Sequence, residues 1–325
     1  MFIKNRYISI VYKSYLSIVG NLNTGVLRPW LPLIMSCFVA TGCSTVLLGY
    51  DAVPPLAKYQ INRYFDLNST QQDVVEKQLE DIFDWHRKTQ LKEYSNFINQ
   101  ITDKVKANEP ISVADIQKWR LISLGAWVPV ANKVSRPFTE LVLTLTPGQI
   151  EHMKKRFAKT NADMRDDYVK ANEKGGANNA LLARQKARAT RIEKRGDFFF
   201  DDLTEAQYKL IAKRAAESPD AELAWYNERI RRQQDFIALL DSIKTRKLDA
   251  NQAEPLMREY LKAMWEPKDE KNARLITESG KAADETIVQI YAIATPDQKA
   301  YAVKKLRGYA IDFDKLGKRY VSDSR

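Results

Sequence analysis

The chain has 325 residues, a formal net charge of +11, and 44% apolar against 29% charged side chains. That apolar share can build a core without covalent help at this length. Two cysteines and two histidines rule out a disulfide framework or a cysteine-rich zinc fold.

The first element in chain order is a leader. Residues 1–28 carry Lys4, Arg6, Lys13 and Arg28 and no acid, and Pro29 to Thr41 is uncharged. A basic start, a short apolar core and small residues before a cut site make a secretory signal, too short to span a bilayer. The ending Ala40-Thr41-Gly42-Cys43 resembles a bacterial lipobox, which implies cleavage after residue 42 and acylation of Cys43. Ser44 after it implies, again by resemblance, sorting to the outer membrane. Removing 1–42 takes four cations and no acid, so the net charge falls from +11 to +7. Cys37 leaves with the leader and Cys43 becomes the anchor, so no thiol remains for a disulfide, a nucleophile or a metal. Residues 43–55, with Pro54-Pro55, read as a tether from the lipid.

Everything after this reads as helix. Glycine is scarce, alternating strand patterns are missing, and Ala, Leu, Glu, Lys, Gln and Arg dominate. One device recurs at four helix starts: Leu67-Asn68-Ser69-Thr70-Gln71, Leu145-Thr146-Pro147-Gly148-Gln149, Leu203-Thr204-Glu205-Ala206-Gln207 and Ala294-Thr295-Pro296-Asp297-Gln298. Each is a capping box. The Thr or Asn accepts from the backbone N–H three residues on, and Gln reaches back to the cap's own N–H. The preceding Leu or Ala acts as a hydrophobic staple. Val75, Met153, Ile211 and Ala302, then Leu79, Phe157, Ala215 and Leu306, continue one apolar face after each box. Helix breaks are expected at Pro110, at Pro129 and Pro137, and at Pro267.

The boxes pair into a larger duplication. Trp85, Phe97-Ile98, Ser112 and Thr146 in the first half stand against Trp225, Phe236-Ile237, Asp249 and Thr295 in the second. The fold class is therefore all-α: an elongated helical bundle of two tandem multi-helix units. The expected division is leader 1–42, tether 43–55, first repeat 56–170, basic connecting segment 171–197 and second repeat 198–325.

At the boxes the chain resembles the LTxxQ-motif proteins of the periplasmic Spy and CpxP type, in which amphipathic helices build an ATP-independent chaperone or stress sensor. Ala294 and Asn68 depart from that motif. Over nearly its whole length it is similar to an uncharacterised family of bacterial lipoproteins, domain of unknown function 6279. The residues that carry this are Gly42-Cys43-Ser44, Tyr50-Asp51 with Pro55-Leu56, Tyr64-Phe65-Asp66-Leu67 with Gln71, and Trp85-His86-Arg87 with Leu91 and Tyr94. The resemblance implies a lipid-anchored helical protein and supplies no activity.

The sequence shows no nucleophile elbow, glycine-rich phosphate loop or zinc-protease pattern, so no catalytic, cofactor or metal residue is assigned and no enzyme is expected. His86 and His152 alone are too few imidazoles for a zinc site without converging carboxylates. Candidate partner-binding residues are Trp85, His86, Arg87 and Trp225, with Arg184, Arg188 and Arg191 of the basic stretch. Trp85 and Trp225 are read as packing positions, with a concave client groove as the alternative. The arginine stretch is either a solvated connecting helix or a dock for anionic headgroups.

The expected function is a non-enzymatic protein-binding or chaperone-like module on the periplasmic face of the outer membrane. A scaffold lipoprotein tethering one envelope partner is the alternative. The expected partners are the membrane, through the lipid, and unfolded or envelope proteins; nucleic acid is not expected.

Overall fold

Each helix start that carries a capping box forms where the local hydrogen bonds demand. The computed structural model describes residues 45–173 and 176–322, and every regular element among them is helical. The leader and Cys43 lie outside these residues. In chain order the helices are α1 (Thr45–Phe65), α2 (Ser69–Thr89), α3 (Leu91–Lys106), α4 (Val113–Gly125), α5 (Trp127–Thr144), α6 (Pro147–Glu173), α7 (Gly176–Phe200), α8 (Glu205–Glu217), α9 (Glu222–Thr245), α10 (Ala250–Lys262), α11 (Glu270–Ala292) and α12 (Pro296–Ser322). Gly49–Arg325 forms one compact unit.

At the start of α2, Asn68 Oδ1 accepts from the Gln71 N–H at 2.9 Å, and Gln71 Oε1 accepts from the Asn68 N–H at 3.1 Å. Thr146 with Gln149, Thr204 with Gln207 and Thr295 with Gln298 make the same reciprocal pair. The four staples, Leu67, Leu145, Leu203 and Ala294, are all buried, and so are Val75, Met153, Ile211 and Ala302 one turn into each helix. Ser112 with Asp115 and Asp249 with Gln252 add a box at the starts of α4 and α10.

Backbone turns of one kind recur at matching positions of the two halves. Asp66 and Asp201 (φ 51° and 69°) turn the chain ahead of the first box in each half. Asn108 and Lys247 (φ 53° and 52°) end α3 and α9 at corresponding points. Both ends close the same way. Glu109 N–H reaches Lys104 O at 3.3 Å and Leu248 N–H reaches Ile243 O at 3.0 Å, satisfying carbonyls that the helix leaves open.

Side-chain burial then crosses between the halves. One core joins Phe65, Val75, Leu141 and Met153 of the first half to Phe236, Leu240, Ile243 and Met257 of α9 and α10. A second gathers Ala189, Ile211, Ala215 and Ile290 from α7, α8 and α11. A third, sharing Phe200 with the second, joins Val105 and Ile116 of α3 and α4 to Tyr291 and Val303. Correspondingly α3 lies along α12 and α5 along α10. Each half lends its central helices to the other.

Three expectations need correction. The tether segment is helical from Thr45, with Pro54 and Pro55 inside α1. Side-chain ties fix it there: Lys58 to Glu76 at 2.5 Å and Asp51 to Arg319 at 3.2 Å. The break near Pro129 falls at Ala126, because Pro129 sits in the first turn of α5, where no intrahelical donor is needed. Pro137 breaks nothing: α5 runs through it. Burial of Leu141 and Val142, with Phe138 against the same core, outweighs the roughly 3 kcal/mol that an interior proline costs. The third concerns packing. Trp225 is 44% exposed on α9, while its counterpart Trp85 is half-buried.

Candidate apolar groove

The α2 stripe that faces the core leaves a second one beside it. Leu79, Ile82, Phe83 and His86 recur at helical spacing, and Gln90, Glu93, Tyr94 and Phe97 carry the row onto α3. The join is a bend rather than a break: Gln90 N–H still reaches His86 O at 2.9 Å, and Tyr94 N–H reaches Gln90 O at 3.1 Å. Opposite this row stand Ile122 and Leu124 at the end of α4 and Trp127, Val130 and Val134 of α5. Tyr50 and Val53 of α1 and Trp265 complete a groove of about 1250 Å³. Trp127 is fixed by its indole N–H, which donates to Leu261 O at 2.7 Å, and it meets Trp265 edge-on at 6.2 Å.

The walls are mainly hydrocarbon and aromatic, with Gln90, Glu93, Asn96, Gln100 and Ser123 among them and a hydrogen-bonded pair at His86. The Tyr50 hydroxyl and His86 Nδ1 share a hydrogen bond at 2.8 Å, and Tyr50 and Tyr94 rings lie 5.8 and 5.5 Å from the imidazole. Burial lowers the proton affinity of His86, and the neighbouring Arg87 charge lowers it further. Burial also pushes the Tyr50 hydroxyl up to about 12. At neutral pH this corner is therefore an uncharged donor–acceptor pair, suited to orienting a ligand rather than to moving protons. His152 is elsewhere, against Arg63 O at 3.2 Å. Among the described residues no three of His, Cys, Asp and Glu converge on a metal-sized site, and no helix is long and apolar enough to cross a membrane.

Of the candidate partner-binding residues, only His86 lines the groove. Trp85 and Arg87 flank it on α2. The arginines of α7 are engaged by acids: Arg184, largely covered, pairs with Asp220 at 2.6 Å, and Arg191, still exposed, pairs with Glu222 at 2.5 Å. Arg188 donates to Ala215 O and Ser218 O at 2.9 and 2.7 Å, and so caps the open carbonyls at the end of α8. Trp225 lies beside that junction, away from the groove lining.

Sequence reasoning gave no site role to Ile122, Leu124 and Val130, and quoted Tyr50 only among the residues that carry the family resemblance. A signal for part of this was present: Leu121 to Asn132 carries no charge and spans a helix end, where a solvated turn would be polar. The duplication hid the rest. Phe97 lines the groove, but its counterpart Phe236 is buried in the first core against Phe138 and Tyr260, at 5.6 and 5.4 Å.

The model of a family described as "Family of unknown function (DUF6279)" matches residues 63–269, from the end of α1 to the loop before α11. No curated protein matches the chain, and no solved structure does.

Proposed function

We propose, from the premise that the chain belongs to the DUF6279 family of unknown function, that it is a lipid-anchored envelope protein that holds apolar segments of other proteins. The observation that carries this reading is the groove: a largely apolar cleft with one hydrogen-bonded polar pair in its lining. Such a surface recognises hydrocarbon and loosely packed aromatic side chains without demanding one sequence. The absence of any grouping of catalytic side chains in the sequence supports a binding role. The lipobox supports anchoring through fatty acids on Cys43 and residence at the periplasmic face of the outer membrane. The four capping boxes support kinship in design with the Spy and CpxP type, whose helices also offer apolar surface to clients.

The purified chain should slow aggregation of a chemically denatured client at equimolar ratio. Val53→Arg with Ile98→Arg, which places two cations in the channel, should remove that protection while leaving the helical circular dichroism unchanged. No protection at tenfold excess would overturn the reading. In-cell crosslinking to one defined protein, rather than to many, would favour the scaffold role instead. Mass spectrometry finding Cys43 unacylated would remove the anchor.

A further inference from the structure

We infer that the elbow between α4 and α5, whose Ile122 and Leu124 also line one wall of the groove, is a contact for an anionic lipid surface, distinct from any lipid on Cys43. Leu121 to Gly125 is exposed without interruption, with Leu121 at 69%, Ile122 at 40% and Leu124 at 49% of full exposure. Val128, on the first turn of α5, is 43% exposed and Trp265 is half exposed. A chain that kept this corner in water would bear the full cost of hydrating consecutive large apolar side chains, which surfaces avoid unless they use them.

Charge identifies what covers it. Between Asp115 and Glu140 there is no acidic residue, while Lys118, Arg120, Lys133 and Arg136 all fall there. Arg120 is engaged with Asp284 and Arg136 with Glu140. Lys118 and Lys133 have no ion pair among the described residues. Lys118 lies one turn before Leu121 and Ile122, and Lys133 one turn after Pro129 and Val130, so the free cations bracket the apolar tip on both helices. On α4 and α5, exposed Leu, Ile and Val bracketed by Lys118 and Lys133 are the make-up of a segment that seats its apolar part at the headgroup boundary and its ammonium groups among the phosphates. An acidic protein surface would answer the lysines, but it would leave the exposed Leu121, Ile122 and Leu124 without a matching partner.

The test places a reporter at the tip itself. Leu121→Cys, in a chain also carrying Cys37→Ala and Cys43→Ala, is labelled with an environment-sensitive dye. It is titrated with vesicles of phosphatidylglycerol and phosphatidylethanolamine, and separately with phosphatidylcholine alone. The dye should shift to the blue on the anionic vesicles only. Adding Lys118→Gln and Lys133→Gln should weaken the response by roughly thirtyfold. The inference is overturned if the chain sediments with the vesicles while the dye stays in water, if both lipids give the same response, or if the shift grows with protein concentration in their absence. The last outcome would assign the elbow to a protein contact.

Discussion

Gln207 and Gln298 exchange amide hydrogen bonds across the starts of α8 and α12, at 3.0 and 2.9 Å, with Gln207 wholly buried. Each carbonyl also accepts from its own cap N–H, at 2.8 and 3.0 Å, and Gln298 Nε2 reaches Asp202 O at 2.7 Å. Gln71 and Gln149 repeat the arrangement in the first half, at 3.3 and 2.7 Å. A device that starts one helix thus also docks it to another.

Removing one glutamine should therefore harm its partner. Gln207→Leu leaves the Thr204 N–H and the Gln298 amide short of partners in a buried site and should cost about 1–3 kcal/mol. The double variant Gln207→Leu, Gln298→Leu should cost less than the two singles together, with a coupling of about 0.5–3 kcal/mol. Urea unfolding of the four chains measures this, and strict additivity would mean that the caps act independently.

Arg120 holds α4 to α11. Its guanidinium pairs with Asp284, whose side chain is fully buried, and donates to Gly280 O at 3.2 Å. Arg120→Ala should cost about 3–5 kcal/mol because it strands a buried carboxylate. Asp284→Asn in the same chain should restore part of that loss. Thermal unfolding of both variants decides it.

Glu228 ties the loop before α11 to α9. Its buried carboxylate accepts from Arg231 Nε at 2.6 Å, Lys268 N–H at 3.2 Å, Asp269 N–H at 3.3 Å and Asn272 Nδ2 at 3.2 Å. Burial is the largest influence and raises its pKa; the bonds from Arg231, Asn272 and the backbone outweigh it and hold the group below the usual range. A depressed carboxylate stabilises the fold above its unfolded value and loses that contribution as pH falls through its folded one. Glu228→Gln should cost about 2–3 kcal/mol at neutral pH and flatten the acid limb of stability.

His86 has the opposite charge chemistry and the same sense of pH. Its Nδ1 shares a hydrogen bond with the Tyr50 hydroxyl, and burial followed by Arg87 lowers its pKa in the fold. The unfolded chain therefore binds the proton more readily. The His86 contribution is complete above about pH 6.5 and declines as pH falls from there through the folded value. His86→Gln should lessen the loss of urea midpoint between about pH 7 and pH 5; an unchanged pH slope would place the imidazole in water.

The helical class, the helix starts at Asn68, Thr146, Thr204 and Thr295, and the buried positions one turn later were all legible, because a capping box spans three residues and an apolar stripe follows from helical period alone. Tertiary structure alone decided which glutamine meets which, and that α3–α4 and α9–α10 pack into the opposite half. It also decided that Phe97 opens onto a groove while Phe236 is buried, and that α5 passes through Pro137. These depend on burial against residues more than a hundred positions away in several cases. Local hydrogen bonds choose where a helix begins, but only the competition to remove apolar surface from water chooses its neighbours.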